Sequence, residues 1–265
     1  MLVVKPAASK MLRESSKFPI LLLLLGVSST RALELPSPLQ RCQPEDQDCL
    51  IAQVQSYFQH FSQGIPELMV PSLDPLELGV VRALNNDPSG ALSFNLVLTN
   101  TSLHLLSKAQ LTSIKGFTRD LSKPLKLTWI LSAKKLEVHA TYDVKGKIIM
   151  LPIVSKGDVV IRLNDVQTKS RVSAVAEKRD DGKYYLKLTE HKSVSKVGSG
   201  NFSMSNSTNI NPALADSMLS VLNNDWEALS ADIQPRITEA YDRSIKRIIE
   251  SLWNAVPYDD FFNIV

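Results

Sequence analysis

From Leu136 to Val144 every second residue is apolar or aromatic (Leu136, Val138, Ala140, Tyr142, Val144), while Glu137, His139, Thr141 and Asp143 fill the other phase. That alternation predicts a strand with one dry and one wet face. Beyond Lys145-Gly146-Lys147 it lapses. The stretch from Ile148 to Ile153 is apolar on both phases, so a returning strand needs apolar cover on two sides, expected here from the first helix or a proline-rich connector. Period-two segments such as LSFNLVL, LKLTWIL, DVVIRLNDV, RVSAVAEKR and KYYLKLTEH dominate from about Ala91 to His191. Short turn signals at 145–147, 155–157 and 180–182 separate them and leave no room for intervening helices, which predicts an antiparallel meander.

Helical spacing frames these strands. Leu50, Ile51, Val54, Phe58 and Phe61 predict a helix between Cys49 and Gln63, with Asp46 and Asp48 available to cap it and Gly64 and Pro66 to end it. Pro66, Pro71 and Pro75 in GIPELMVPSLDPLEL then predict an extended connector. The polar segment GSGNFSMSNSTN reads as an exposed loop. After Asn211 and Pro212, a cap and first-turn pair, Leu214, Met218, Val221, Leu222 and Leu229 follow the helical period. It resumes at Pro235 with Ile237, Tyr241, Ile245, Ile248, Ile249 and Leu252, Pro235 either starting a new helix or kinking one long one that ends near Pro257. A long sheet with one greasy face and one long amphipathic helix have a simple joint solution. The expected fold is α+β, with a strongly curved antiparallel sheet wrapped around a long C-terminal helix.

Composition adds a compartment to this picture. The chain has 265 residues, 44% hydrophobic and 22% charged, within the range of ordinary globular proteins. The run FPILLLLLGVSS follows Lys5, Lys10, Arg13 and Lys17 and precedes Thr30-Arg31-Ala32, which predicts a signal peptide over 1–32, cleaved after Ala32, and one domain over 33–265. An uncleaved anchor is the alternative, but the apolar run is about a dozen residues where a spanning helix needs roughly 20. Stable membrane insertion is therefore not expected. The whole chain carries 30 basic and 27 acidic residues; the leader holds five basic residues and Glu14, leaving 25 basic and 26 acidic in the remainder. The apparent basicity belongs to the leader, and no nucleic-acid partner is expected.

Cys42 and Cys49 in CQPEDQDC read as one local disulfide in an oxidising compartment, worth about 2 to 3 kcal/mol on loop-entropy grounds. A metal pair is the alternative, although the spacing is unusual for ligands and no histidine lies near. Asn100, Asn201 and Asn206 begin N-x-S/T sequons and are candidate glycosylation sites.

The cysteine pair, GIPELMVPSLDPL (64–76), DVKGKIIMLPIVSKGD (143–158), NDWEAL (224–229) and PYDDFF (257–262) occur in one order along the chain. Together they resemble the takeout / juvenile hormone binding protein family of insects, over nearly the whole chain after the leader. The resemblance implies an internal hydrophobic tunnel between sheet and helix that carries a small lipophilic molecule, such as juvenile hormone, another terpenoid or a fatty-acid-like ligand. The name-giving branch has a two-disulfide pattern; a single pair here points to the takeout-like branch and away from strict hormone specificity.

On this reading the inward strand positions Trp129, Leu131, Leu136, Val138, Ala140, Tyr142, Ile149 and Leu151 are candidates for the tunnel lining, joined by Tyr241 and Ile245 from the helix. Each is also a plausible core residue. Phe58, Phe61, Ile65 and Met69 are candidates for a mouth near the first helix. The hydroxyls of Tyr142 and Tyr241 could bond an ester or epoxide oxygen. Catalytic residues, metal ligands and cofactors are not expected: His60, His104, His139 and His191 stand apart in sequence, and no nucleophile elbow, His-Glu-x-x-His or phosphate loop is present. Two other functions stay open, a module that docks on a membrane or on an unidentified receptor through Arg243-Ser244-Ile245-Lys246-Arg247, and a lipid-ester hydrolase.

Overall fold

The computed structural model describes residues 35–86, 92–148, 151–208 and 210–263. The leader expected at 1–32 therefore lies outside the described residues. Two strands dominate: β4 (Leu125–Ile148) and β5 (Leu151–Lys178) pair antiparallel from Leu125↔Ala174 to Ile148↔Leu151. β1 (Leu76–Asn85) and β2 (Leu92–His104) extend the sheet on one side of β4, with β3 (Gln110–Lys115) further along that same side. β6 (Tyr184–Lys196) and β7 (Ser199–Thr208) share the free side of β5 end to end. Right-handed twist accumulated over strands of this length curls the sheet into a half-barrel.

Several turn and loop expectations are corrected. Residues 145–147 and 155–157 lie inside β4 and β5, not between strands. Gly146 marks a close approach instead, because a Cβ there would stand 2.1 Å from the Ser93 carbonyl oxygen on β2. LKLTWIL and LEVHATYDV are consequently one strand. The turn at 180–182 does connect β5 to β6, Gly182 adopting φ +81°. Within GSGNFSMSNSTN, Ser199–Thr208 is strand β7, held by its backbone to 156–164 of β5, which its mostly polar side chains do not advertise. β1 emerges from the proline-rich connector; a bulge between Glu77 and Val81 interrupts its alternation. Two-sided cover for the returning strand is not found at its described positions, since Ile153 points inward while Pro152 and Val154 are exposed.

Helix α1 (Gln47–His60) starts where Asp46 accepts from the Cys49 amide at 3.0 Å. α2 (Pro212–Asn224) is capped by Asn211, whose side chain accepts from the Leu214 amide. The break before α3 (Trp226–Ala255) falls at Asp225, and Pro235 sits inside α3, so Pro235 does not start a new helix but lies within a long one. Trp226 there packs on Gly200 of β7, where a Cβ would come 2.6 Å from its ring. α4 (Tyr258–Phe261) ends the described chain beside the disulfide.

α3 closes the half-barrel. The strand edges of β1 and β6 would otherwise present unpaired backbone groups, and α3 supplies partners to both. Ser244 Oγ donates to the Glu77 carbonyl at 2.5 Å on β1, while Asp242 Oδ2 accepts from the Ser193 amide at 3.0 Å and Gln234 Nε2 donates to the Ser195 carbonyl at 2.7 Å on β6. Ala240, Tyr241, Ile245 and Ile248 on the inward stripe of the helix are buried.

The outer face carries a charge cluster predicted only as a wet strand face. Glu137 meets Lys135 at 2.8 Å, His139 at 3.0 Å and Arg162 at 3.4 Å, and His139 stacks on His104 at 4.1 Å. Hydrogen bonds from Lys135 first, then His139, hold the Glu137 carboxyl down to about 2. A folded-state pKa below the unfolded value stabilises above pH 4.5 and is lost as pH falls toward 2. Glu137→Gln should thus remove about 1 kcal/mol at pH 7, discounted for half-exposed partners, and leave the difference from the parent smaller at pH 3. Urea unfolding at the two pH values measures it; an equal deficit at both would contradict the assignment.

Candidate functional site

The half-barrel and α3 do not meet in a solid core. Between them lies a chamber of about 240 Å³, far above the ~10 to 15 Å³ that holds one water. Its floor is α3, through Tyr241, Ile245, Ile248, Ile249, Leu252 and Trp253 at helical spacing. Twelve residues separate Tyr241 from Trp253, about 18 Å at 1.5 Å per residue, so the space is elongated along the helix. Trp129 and Leu131 of β4, Leu111 and Ile114 of β3, and Leu186 of β6 form the sheet wall. Leu50, Val54, Tyr57 and Phe58 of α1 face them, and Leu35, Leu39, Phe117, Phe261 and Phe262 close the remaining side.

Local chemistry fixes α1 in that wall. The Cys42–Cys49 disulfide ties its first turn to the preceding segment, with Cα atoms 5.8 Å apart. Gln55 binds β3 at both ends of its amide, accepting from the Leu111 amide at 2.6 Å and donating to the Ala109 carbonyl at 3.2 Å. The terminal segments lie side by side, Cys42 donating to Phe261 at 3.1 Å and accepting from Asn263 at 2.8 Å. The buried Asp260 carboxylate bridges Arg41 at 2.6 Å and Lys183 at 3.0 Å, locking this corner to the β5–β6 turn.

Two smaller chambers continue along α3. One of about 60 Å³ shares Leu106, Leu131 and Tyr241 with the large chamber and adds Leu136, Thr168, Ser195, Gln234 and Thr238. Another of about 80 Å³ lies past Ile233, between Phe94, Tyr142, Ile153 and Phe202 of the sheet and Met218 and Leu222 of α2. The three are strung out in order along the helix, all mainly apolar, the middle one carrying Thr168, Ser195, Gln234 and Thr238 in its wall.

The large chamber has no charged side chain in its wall. The nearest ionisable pair stands behind it: His191, its side chain 1% exposed, packs on Trp129 at 5.7 Å between ring centroids and approaches Asp242 Oδ1 at 3.2 Å. Burial pushes the Asp242 carboxyl up, but contacts from His191 and Ser193 outweigh it and leave its pKa below the ordinary value. Burial also pushes the Tyr57 phenol up to about 12 and raises that of Tyr241 further. Both hydroxyls remain neutral donors at any physiological pH.

The sequence candidates divide accordingly. Phe58, Trp129, Leu131, Tyr241 and Ile245 line the large chamber, Leu136 the middle one and Tyr142 the far one. Val138, 0% exposed, and Ala140 are packed core bordering none of the three. Of the mouth residues beyond Phe58, Phe61 packs against the core, Ile65 is buried and bonded to Val70 through its backbone, and Met69 is 82% exposed. None of those three lines the chamber. Ile149 and the side chain of Leu151 lie outside the described residues.

Sequence reasoning missed Ile248, Ile249, Leu252 and Trp253, although continuing the helical period from Tyr241 and Ile245 reaches them. Leu111, Ile114 and the terminal phenylalanines carried no comparable signal. His191 is not isolated but paired with Asp242. Within the basic stretch of α3, Arg243 pairs with Glu239 at 3.2 Å and Lys246 with Glu250 at 3.6 Å, so its charge is partly neutralised in place. Asn100 and Asn201 are exposed.

A curled sheet sealed by one long helix over apolar chambers defines a receptacle fold, and comparisons with known proteins say which. The chain belongs to the haemolymph juvenile hormone binding protein (JHBP) family, whose model matches residues 20–263. It is 47% identical over 228 residues to the circadian clock-controlled protein daywake of Drosophila yakuba and of Drosophila melanogaster, covering 86% of this chain and 88% of each relative. The crystal structure of Takeout 1 from Epiphyas postvittana superposes with a TM-score of 0.72 at 25% identity, covering 85% of this chain and 100% of that one. Among the described residues no helix is long and apolar enough to cross a membrane.

Proposed function

We propose that the protein is a secreted carrier that holds one small lipophilic molecule, terpenoid or acyl-chain-like, in the large chamber beside α3. The observation that carries this reading is the uncharged, elongated space of about 240 Å³ beside α3, several times larger than either of the two chambers that continue it. Moving hydrocarbon surface from water into such a space gains roughly 25 cal/mol per Å². Membership of a family named for binding juvenile hormone supports a lipophilic ligand. The single disulfide and the 47% identity to daywake support the takeout-like branch. The leader at 1–32, the disulfide and the exposed Asn100 and Asn201 sequons support secretion of a glycosylated domain spanning 33–265.

Organic extraction of protein secreted from insect cells, followed by mass spectrometry, tests the carrier reading. One lipophile per protein molecule is expected. An extract with no lipophile near that stoichiometry, from protein that also fails to take up added terpenoid esters and acyl esters, would overturn it.

A further inference from the structure

We propose that the outer face of the sheet, where β3 to β6 carry Lys115, Lys126, Lys169, Arg171 and Lys192, docks a linear sulfated polysaccharide. This inference does not draw on the chambers; it concerns the opposite side of the same strands.

The pairing register sets these cations in one field. Lys115 of β3 stands opposite Thr128 of β4, Thr128 opposite Arg171 of β5, and Arg171 opposite Lys192 of β6, so a single row crosses four strands. At about 4.8 Å per strand interval the row spans roughly 14 Å. Lys126 and Lys169 flank it on either side, and all five cations are exposed. Their chain neighbours Ile114, Leu127, Ser170 and Val172 are buried on the inner face.

Little on this face answers the charge. Lys192 pairs with Glu190 at 2.7 Å, and Lys126 donates to Ser173 Oγ at 3.0 Å. A hydrogen bond from Lys192, then its charge and that of Lys126, hold the Glu190 carboxyl below its ordinary value, so one acid serves both. Lys115, Lys169 and Arg171 form no ion pair among the described residues. Arg171 and Lys192 are like charges placed directly opposite each other, which weakens the strand pair. After the leader the chain holds 25 basic and 26 acidic residues, so this concentration reflects no general excess of cations. It costs the sheet stability, and an external polyanion offsets that cost.

Shape and chemistry choose among polyanions. The half-barrel is convex on this side and meets a planar bilayer only along a line, whereas a flexible chain laid across the strands follows the curve. Surfaces that seat in a bilayer present aromatic or leucine side chains for insertion. The outward residues between these cations are Thr128, Ile130, Ser173 and Val194, none of them aromatic. Sulfate suits the field: Arg171 offers a planar fork for two oxygens of one oxyanion, and the lysines act as point charges at intervals along the chain.

Heparin-affinity chromatography of the mature protein, joined to titration with soluble heparin at several salt concentrations, is the test. The parent should be retained at low salt and elute as salt rises. Lys169→Ser with Arg171→Ser should weaken heparin binding about tenfold or more and lower the slope of log Kd against log salt by about two, one for each lost contact. Lys115→Ser with Lys126→Ser should act likewise. Arg243→Ser with Lys246→Ser on α3, whose charges are paired in place, should leave binding within about twofold. Lipophile uptake should be unchanged in the sheet-face variants, which separates this surface from the carrier reading. No retention of the parent at low salt, or sheet-face variants retained as firmly as the parent, overturns the proposal. So does equal binding to hyaluronan, which has carboxylates and no sulfate. Binding to phosphatidylcholine–phosphatidylserine vesicles that matches heparin binding and falls with the same substitutions overturns it too, and assigns the face to a membrane.

Discussion

Ile248→Trp should weaken lipophile binding close to a hundredfold while leaving the protein folded. Ile248 is a buried residue of the inward stripe of α3, midway along the chamber between Tyr241 and Trp253. A larger side chain in a tight core forces its neighbours off their rotamers at a cost of about 1 to 3 kcal/mol. Here it projects toward existing space, so that cost falls near the lower end. The ligand cannot share the space. Losing about 100 Å² of apolar contact at ~25 cal/mol per Å² is about 2.5 kcal/mol, close to a hundredfold in Kd. Met218→Trp, which fills the far chamber of about 80 Å³, should leave the same affinity nearly unchanged. Displacement of a fluorescent acyl ester from both variants, with thermal unfolding run in parallel, makes the comparison. Undiminished affinity in Ile248→Trp would place the ligand outside the large chamber.

Gly116→Val should be the most damaging single change to the fold. Gly116 follows β3 with φ +107°, and a Cβ there would stand 2.1 Å from the Lys126 carbonyl oxygen and 2.9 Å from the Leu127 Cα, both backbone atoms of β4. A flexible side chain could yield to such a collision, but a strand at the centre of the sheet cannot. Backbone strain and overlap act together, so the expected loss is more than about 4 kcal/mol. At roughly 2 to 4 °C per kcal/mol for a chain of this size, the melting temperature should fall by about 10 °C or more. Gly182→Ala is the control, because its φ of +81° carries the same kind of strain and its Cβ would meet nothing within 4 Å. It should lose only about 1 kcal/mol. Equal losses at the two positions would show that conformational strain, not the close crossing, sets the requirement. The crossing also aims the next residue, Phe117, at the chamber, so any folded Gly116 variant should bind ligand more weakly.

Glycine also shows why turns were misjudged and helices were not. Gly146 reads as a turn in sequence, yet glycine serves a turn and a close backbone approach equally well. Only the partner strand distinguishes them, and that strand is remote in sequence. For the same reason β4 and β5 read as several short strands: β-pairing to distant segments sustains them through Lys145-Gly146-Lys147 and Ser155-Lys156-Gly157, which local preference marks as breaks. β7, polar apart from the inward Phe202 and Met204, owes its existence to backbone pairing with 156–164.

What was determined locally reappears intact. The caps at Asp46 and Asn211, the short-range disulfide and the long amphipathic stripe of α3 depend on residues at most a few turns apart, and their spacing alone specifies them. The inward phase of β4 from Leu136 to Tyr142 likewise follows from alternation. The division of those inward residues between packed core and open chamber does not. Val138 and Leu136 obey the same pattern, yet one borders none of the chambers and the other lines the middle one, because α1, the terminal phenylalanines and the polar seam of β5 and β6 converge unequally along α3. Volume left unfilled is a property of how surfaces meet, and only the tertiary arrangement brings those surfaces together.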